Sequence, residues 1–134
     1  MCCYFWGYSK IIPFFPGKFQ PPHLGHILTV SRIIDEYGFV IIGITDDVNK
    51  VITKKNICNI FTQVFKNKVS CVSIKGKLIE QDSSCIPVKY DFLLSGNNEV
   101  VHWANKHNIK AINVPRSKGI GFSGTELRSL VDNR

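Results

Sequence analysis

The chain has 134 residues, 44% of them hydrophobic and 20% charged, with a formal net charge of +7. This is the composition of one globular domain, which argues against disorder, and the positive balance favours anionic partners, either nucleic acid or phosphorylated metabolites. No run reaches the ~18 consecutive apolar residues that span a bilayer, and the five cysteines (Cys2, Cys3, Cys58, Cys71, Cys85) include no Cys-x-x-Cys, so free thiols in a reducing cytoplasm are expected, with neither a disulfide framework nor a zinc site.

Met1 to Tyr8 is apolar but short, has no basic leader and runs into Lys10, Pro13 and Pro16, which makes it a poor signal peptide. Ile11 to Phe15 is apolar at every position, as in a strand covered on both faces, although Pro13 cannot donate to a ladder and predicts a bulge or weak pairing there. Leu24 to Tyr37 carries Leu24, Ile27, Leu28, Ile33, Ile34 and Tyr37 near helical spacing, with Gly38 as a stop. Phe39 to Ile44 reads as a second buried strand ending in the polar Thr45-Asp46-Asp47, which completes a βαβ unit; strand-end solvation and capping are the expected roles of the two aspartates.

Ile57 to Phe65 places Ile57, Ile60, Phe61, Val64 and Phe65 on one helical face, Val69 to Ile74 is a third strand, and Lys75-Gly76-Lys77 turns the chain. Glu80 to Lys89 has no period and reads as a loop over the sheet's active edge. Asp91 to Leu94 is a short fourth strand, and Ser95-Gly96-Asn97-Asn98 caps a helix that runs through Val101, Trp103 and Ala104 to about His107. His102 and His107 are expected at its surface. Ala111 to Val114 is a fifth strand, followed by a glycine-containing loop over Arg116 to Phe122 and a last helix over Thr125 to Val131. Without repeats or linkers, residues 1–134 are expected to form a single α/β domain. Strand-then-helix order predicts a three-layer sandwich around a five-stranded parallel sheet with right-handed crossovers, and a ligand site at the carboxyl ends of its strands.

Two stretches at those ends carry chemistry. In Gly17-Lys18-Phe19-Gln20-Pro21-Pro22-His23-Leu24-Gly25-His26 an apolar run ends, a Gly/Pro turn follows and a helix opens. His23 and His26 at i, i+3 share one side of its first turn beside backbone N–H groups that lack helical partners. Those N–H groups and the helix dipole attract phosphate, Gly25 permits close approach to the backbone, and Lys18 adds charge. The second stretch, Ser123-Gly124-Thr125-Glu126-Leu127-Arg128, opens the last helix. Its hydroxyls and N–H groups suit phosphate binding, with Arg128 one turn further on. The bland alternatives are solvated surface histidines and lysine, and a plain N-cap followed by a solvent-facing arginine.

The first stretch resembles the His-x-Gly-His signature of the nucleotidyltransferase superfamily that includes nicotinamide mononucleotide adenylyltransferases and glycerol-3-phosphate cytidylyltransferases, and the second resembles that superfamily's Ser/Thr-rich turn followed by Arg. The resemblance implies a Rossmann-like fold and transfer of a nucleoside monophosphate, AMP from ATP, to a small phosphorylated acceptor with release of pyrophosphate. It implies His23, His26, Lys18 and Arg128 as catalytic groups and Gly17, Phe19, Gly25, Arg116, Ser123, Gly124 and Thr125 as nucleotide-binding. Phe19-Gln20, Ser-Gly-Thr-Glu and the turn Ser95-Gly96-Asn97 look most like archaeal-type nicotinamide mononucleotide adenylyltransferases, and so imply a role in NAD biosynthesis. Pro115 to Ile120 and the chain's length look more like short cytidylyltransferases acting on a phosphorylated polyol or amino alcohol. Ser95, Gly96 and Asn97, with Trp103 stacking on a base or pyridine ring, are the acceptor-side candidates; a Trp on an apolar helix face is otherwise core. Mg²⁺ is expected to be held mainly by the nucleotide, with no metal ligands supplied by the protein. Self-association is left open. A reading of another class rests on Lys54, Lys55, Lys66, Lys68, Lys75 and Lys77 near Phe61 and Phe65: a non-catalytic nucleic-acid-binding module on the same fold.

Overall fold

Apolar residues come in adjacent pairs along the strands, Phe14-Phe15, Ile41-Ile42 and Leu93-Leu94, and neighbours on a strand point to opposite faces, so such a sheet must be covered on both sides. The computed structural model describes residues 11–47 and 50–114 and shows this arrangement. Five strands, β1 (Pro13–Gly17), β2 (Val40–Thr45), β3 (Val69–Ile74), β4 (Phe92–Ser95) and β5 (Ala111–Asn113), form one sheet in the order 3-2-1-4-5. Every pairing is parallel. The helices are α1 (Leu24–Tyr37), α2 (Lys54–Phe65) and α3 (Asn98–Lys106).

The paired residues divide between two cores. Phe15, Ile42 and Leu94 face Val30, Ile33 and Ile34 of α1 and Ile57 and Phe61 of α2. Phe14, Ile41 and Leu93 face Trp103 and Ala104 of α3 together with Leu78 and Ile86 from the segment between β3 and β4. The result is the expected Rossmann-like three-layer sandwich, in which the chain crosses from one face of the sheet to the other after β3. Since β1 pairs with β2 on one side and β4 on the other, the strand order reverses there and a crevice opens at the carboxyl ends of β1 and β4.

Several boundaries differ from those expected. β1 begins at Pro13, so the missing donor falls at the first position and no bulge is needed: the register runs unbroken from Phe14↔Ile41 to Gly17↔Ile44. Before it, Ile12 N–H donates to the Asp91 carboxylate at 2.6 Å, a side chain standing in for a ladder partner. β1, β2 and β4 all extend beyond their expected last residues, to Gly17, Thr45 and Ser95. Helix α1 has the expected limits and ends on Gly38 at φ 83°, whose N–H returns to Ile34 O. Its buried face, however, follows Gly25, Thr29, Val30, Ile33 and Ile34, leaving Leu24 exposed. Helix α2 starts at Lys54, because Thr53 Oγ1 accepts from Asn56 N–H and so caps it three residues before the first apolar position. Val64, expected on its buried face, is exposed. Between β3 and β4 the expected loop contains two 3₁₀ turns, Leu78–Glu80 and Ser83–Cys85. The expected loop over 116–122 and the last helix lie outside the described residues.

Candidate functional site

The crevice, about 750 Å³, is lined by Gly17, Lys18, His23, Gly25, His26 and Thr29 from the β1–α1 turn and α1, and by Ser95, Gly96, Asn97, Glu99 and Val100 from the β4–α3 turn and α3. Lys77, Leu78 and Ile79 close it on the α3 side of the sheet. Among the described residues, therefore, the first motif and the Ser95-Gly96-Asn97 turn come together, as the strand order requires.

The histidines are arranged differently from two residues on one helical turn. His23 is the N-cap of α1, in extended conformation at φ −122° and ψ 176°. Its Nδ1 accepts from Gly25 N–H at 3.0 Å, and His26 Nδ1 accepts from His23 N–H at 3.1 Å. This is a capping box built from two imidazoles, with ring centroids stacked 3.8 Å apart. Two backbone donors that the sequence suggested for an anion thus go to the histidines themselves. A ring nitrogen that accepts carries no proton, so in its neutral form each of these imidazoles holds its proton on Nε2.

Phe19 fixes the geometry from below. Its backbone is left-handed at φ 53°, and its ring is 3% exposed, against Phe15 and Phe61, with an edge contact to His26 at 4.9 Å. Expected as a nucleotide contact, it lines the crevice, and its side chain also packs in the core and supports His26. Gly17 makes room for it: a Cβ there would lie 2.7 Å from Phe19 Cζ. Gly25 is buried and its carbonyl accepts from Thr29 Oγ1 at 2.9 Å. Lys18 is exposed at the rim.

On the other wall, the buried Ser95 hydroxyl accepts from Asn97 N–H at 3.0 Å and Asn97 Oδ1 accepts from Glu99 N–H at 2.9 Å, so both oxygens shape the turn and cap α3. At the outer end of β2, Asp46 pairs with Lys54 at 2.6 Å and accepts from Gly76 N–H at 2.7 Å. The Lys54 hydrogen bond, and after it that of Gly76, holds the Asp46 carboxyl below its ordinary pKa. Lys54 also donates to Ser73 Oγ and Ile74 O, so this lysine of the expected basic patch is engaged in tying β2, β3 and α2 together.

A family model described as Cytidylyltransferase-like matches residues 14–134. The chain belongs to that family. Comparison with curated protein sequences gives no match. Among solved structures, a bifunctional NMN adenylyltransferase/ADP ribose pyrophosphatase of Francisella tularensis, complexed with AMP and a Mn ion, superposes with a TM-score of 0.59 at 16% identity over 93% of this chain. A second structure of that Francisella protein gives 0.59 at 15% over 88% of this chain, and a lipopolysaccharide core biosynthesis protein of Thermoplasma volcanium gives 0.55 at 19% over 79%. This chain spans 42% and 44% of the two Francisella chains and 97% of the Thermoplasma one. At these identities the likeness is one of fold.

Within this cytidylyltransferase-like chain some expected site residues stand elsewhere. Arg116, Ser123, Gly124, Thr125 and Arg128 lie outside the described residues. Trp103, expected at the acceptor, is 4% exposed in the α3 core, donates its Nε1 proton to Gln81 O at 2.8 Å and does not line the crevice. His107, expected at the surface, is half-buried against it, with Nδ1 2.8 Å from Trp103 O. Sequence reasoning missed Gln20, whose Oε1 accepts from Val51 and Ile52 N–H and whose Nε2 donates to Ile52 O. That one amide imitates a strand edge and ties the β1–α1 turn to the approach to α2. It also missed Lys77 and Glu99, which no local pattern marks as facing a crevice.

Proposed function

We propose that this chain is a nucleotidyltransferase that moves AMP from ATP onto a small phosphorylated acceptor such as nicotinamide mononucleotide, and that residues 1–134 act as one domain. An acceptor phosphate oxygen would attack the α-phosphorus; the new phosphorus–oxygen bond forms as the bond to the β-phosphate bridge breaks, and pyrophosphate leaves. Such a transfer needs positioned donors and cations and no protein nucleophile. The observation that carries the reading is the imidazole capping box in the crevice: Nδ1 of His23 and of His26 is engaged by backbone N–H, so in the proposed reaction Nε2–H of each neutral ring would donate to a phosphate oxygen. Lys18 adds a cation as a point charge. Ser123, Thr125 and Arg128 would hold the β- and γ-phosphates, and Arg116 is a further nucleotide contact. The name of the Francisella protein and its AMP complex support adenylyl transfer.

The family's description favours a second reading, cytidylyl transfer from CTP to a phosphorylated polyol or amino alcohol. A divalent ion suits either. In both readings Mg²⁺ would be held mainly by the triphosphate. Pyrophosphate release, assayed with each nucleoside triphosphate, Mg²⁺ and a panel of phosphorylated acceptors, tests both readings. ATP with nicotinamide mononucleotide is the pair expected to react. No release with any pair by well-folded protein would remove the activity, and salt-sensitive RNA binding without nucleotide binding would favour the non-catalytic module.

A further inference from the structure

The wall facing the histidines carries charges of both signs. Lys77 stands at the start of the 3₁₀ turn after β3 and Glu99 in the first turn of α3, with Ile79 and Val100 beside them in the same lining. Both charged side chains are exposed, and among the described residues Lys77 makes one ion pair, a long one of 4.0 Å to Glu80. This turn is held firmly. Gln81 Nε2 donates to Lys75 O and Lys77 O, and the buried Trp103 indole donates to Gln81 O at 2.8 Å, which docks the turn on α3. Lys77 and Glu99 are thus carried on two elements bound to each other, across the crevice from Lys18, His23 and His26.

Resting on the transferase reading, we infer that this wall selects an acceptor that carries a fixed positive charge besides its phosphate, with Glu99 facing the cation, Lys77 steering the phosphate, and Ile79 and Val100 packing on the carbon frame that bears the cation. A neutral polyol phosphate leaves Glu99 with no cation to attract. The Trp103–Gln81 bond makes Trp103 a positioning residue for this wall, a role distinct from stacking on the acceptor.

Calorimetric titration of the whole chain with nicotinamide mononucleotide, phosphocholine and glycerol 3-phosphate, without any triphosphate, tests this independently of turnover. Both cationic compounds should bind at least fivefold more tightly than glycerol 3-phosphate, and the ratio between the first two tells a pyridinium acceptor from an amino-alcohol one. Glu99→Gln should weaken the cationic pair about five- to tenfold, a range that partly exposed charges can supply in a crevice, and leave glycerol 3-phosphate within twofold. Glu99→Lys should weaken the cationic pair further, and thermal melts of both variants check that the fold is retained. Equal affinity for all three compounds, no binding of any, or an equal loss for all three in Glu99→Gln overturns the inference. Pyrophosphate release alongside such a result would leave the transferase reading standing, whereas charge-selective binding without release in any pairing would leave the inference standing and remove the transferase.

Discussion

His26 has two tasks that substitution can separate. As the third residue of α1 its Nδ1 accepts from His23 N–H, and in the proposed transferase its Nε2–H would donate to a phosphate oxygen. Gln at this position is the ordinary partner in a capping box, so His26→Gln keeps an acceptor for the cap while removing the imidazole donor. His26→Ala removes both. A lost cap bond costs about 1 kcal/mol, and the edge contact with Phe19 at 4.9 Å adds about 0.5 kcal/mol. The Ala variant should therefore melt roughly 4–8 °C below the parent, and the Gln variant about 2–4 °C below at most. Turnover should fall ~10²–10³-fold in both, as for other transition-state donors. Affinity for a non-hydrolysable triphosphate should stay within a few-fold, since a contact made chiefly at the transition state contributes little to ground-state binding. Circular-dichroism melts, calorimetry and pyrophosphate release read these quantities. Near-parental turnover in His26→Gln would refute the catalytic half of the reasoning. Equal melting losses in the two variants would refute the cap.

A methyl group at Gly43 would run into the Phe14 ring and meet Ile74 Cδ1 at 3.0 Å; Gly43→Ala should cost about 1–3 kcal/mol in urea unfolding, and Phe14→Leu in the same chain should recover part of it. The Asp46 carboxyl is held below its ordinary value chiefly by Lys54, so its contribution to stability is complete above the ordinary carboxylate range and is lost as pH falls through the lowered value. The urea midpoint of Asp46→Asn should therefore approach that of the parent as pH drops from 7 towards 3; a gap that stays constant would contradict this. Cys71, pushed up to about 12 by burial in the first place and by Cys58 in the second, should resist iodoacetamide at pH 8 in the native protein and react once unfolded, as mass spectrometry of timed samples would show. Gln20→Ala leaves the backbone N–H groups of Val51 and Ile52 without their acceptor and should lower the melting temperature by several degrees; an unchanged melt would show that water replaces the clamp.

The sequence by itself determined the layer architecture. Strand residues such as Phe14-Phe15, apolar on consecutive positions, are stable only with cover on both faces, and strand-to-helix alternation leaves a parallel sheet as the economical arrangement. It also determined that the first motif falls at the carboxyl edge, because the motif directly follows a strand. What only the tertiary structure decided depends on contacts between residues distant in the chain. Pro13 was read as a flaw in a strand whose start was set by Asp91 and Phe92. Phe19 was read as a ligand contact; that it also packs on Phe61 of α2 was not legible, because the two rings are far apart in the chain. Trp103 has an apolar environment and a polar partner, Gln81 O, that together make it core, and neither is adjacent in sequence. Lys77 and Glu99 look like any solvated charges until the crossover after β3 brings their elements to one wall. Local periodicity records which face of an element is apolar; which other element covers that face, and which polar side chains border the resulting crevice, is decided by packing.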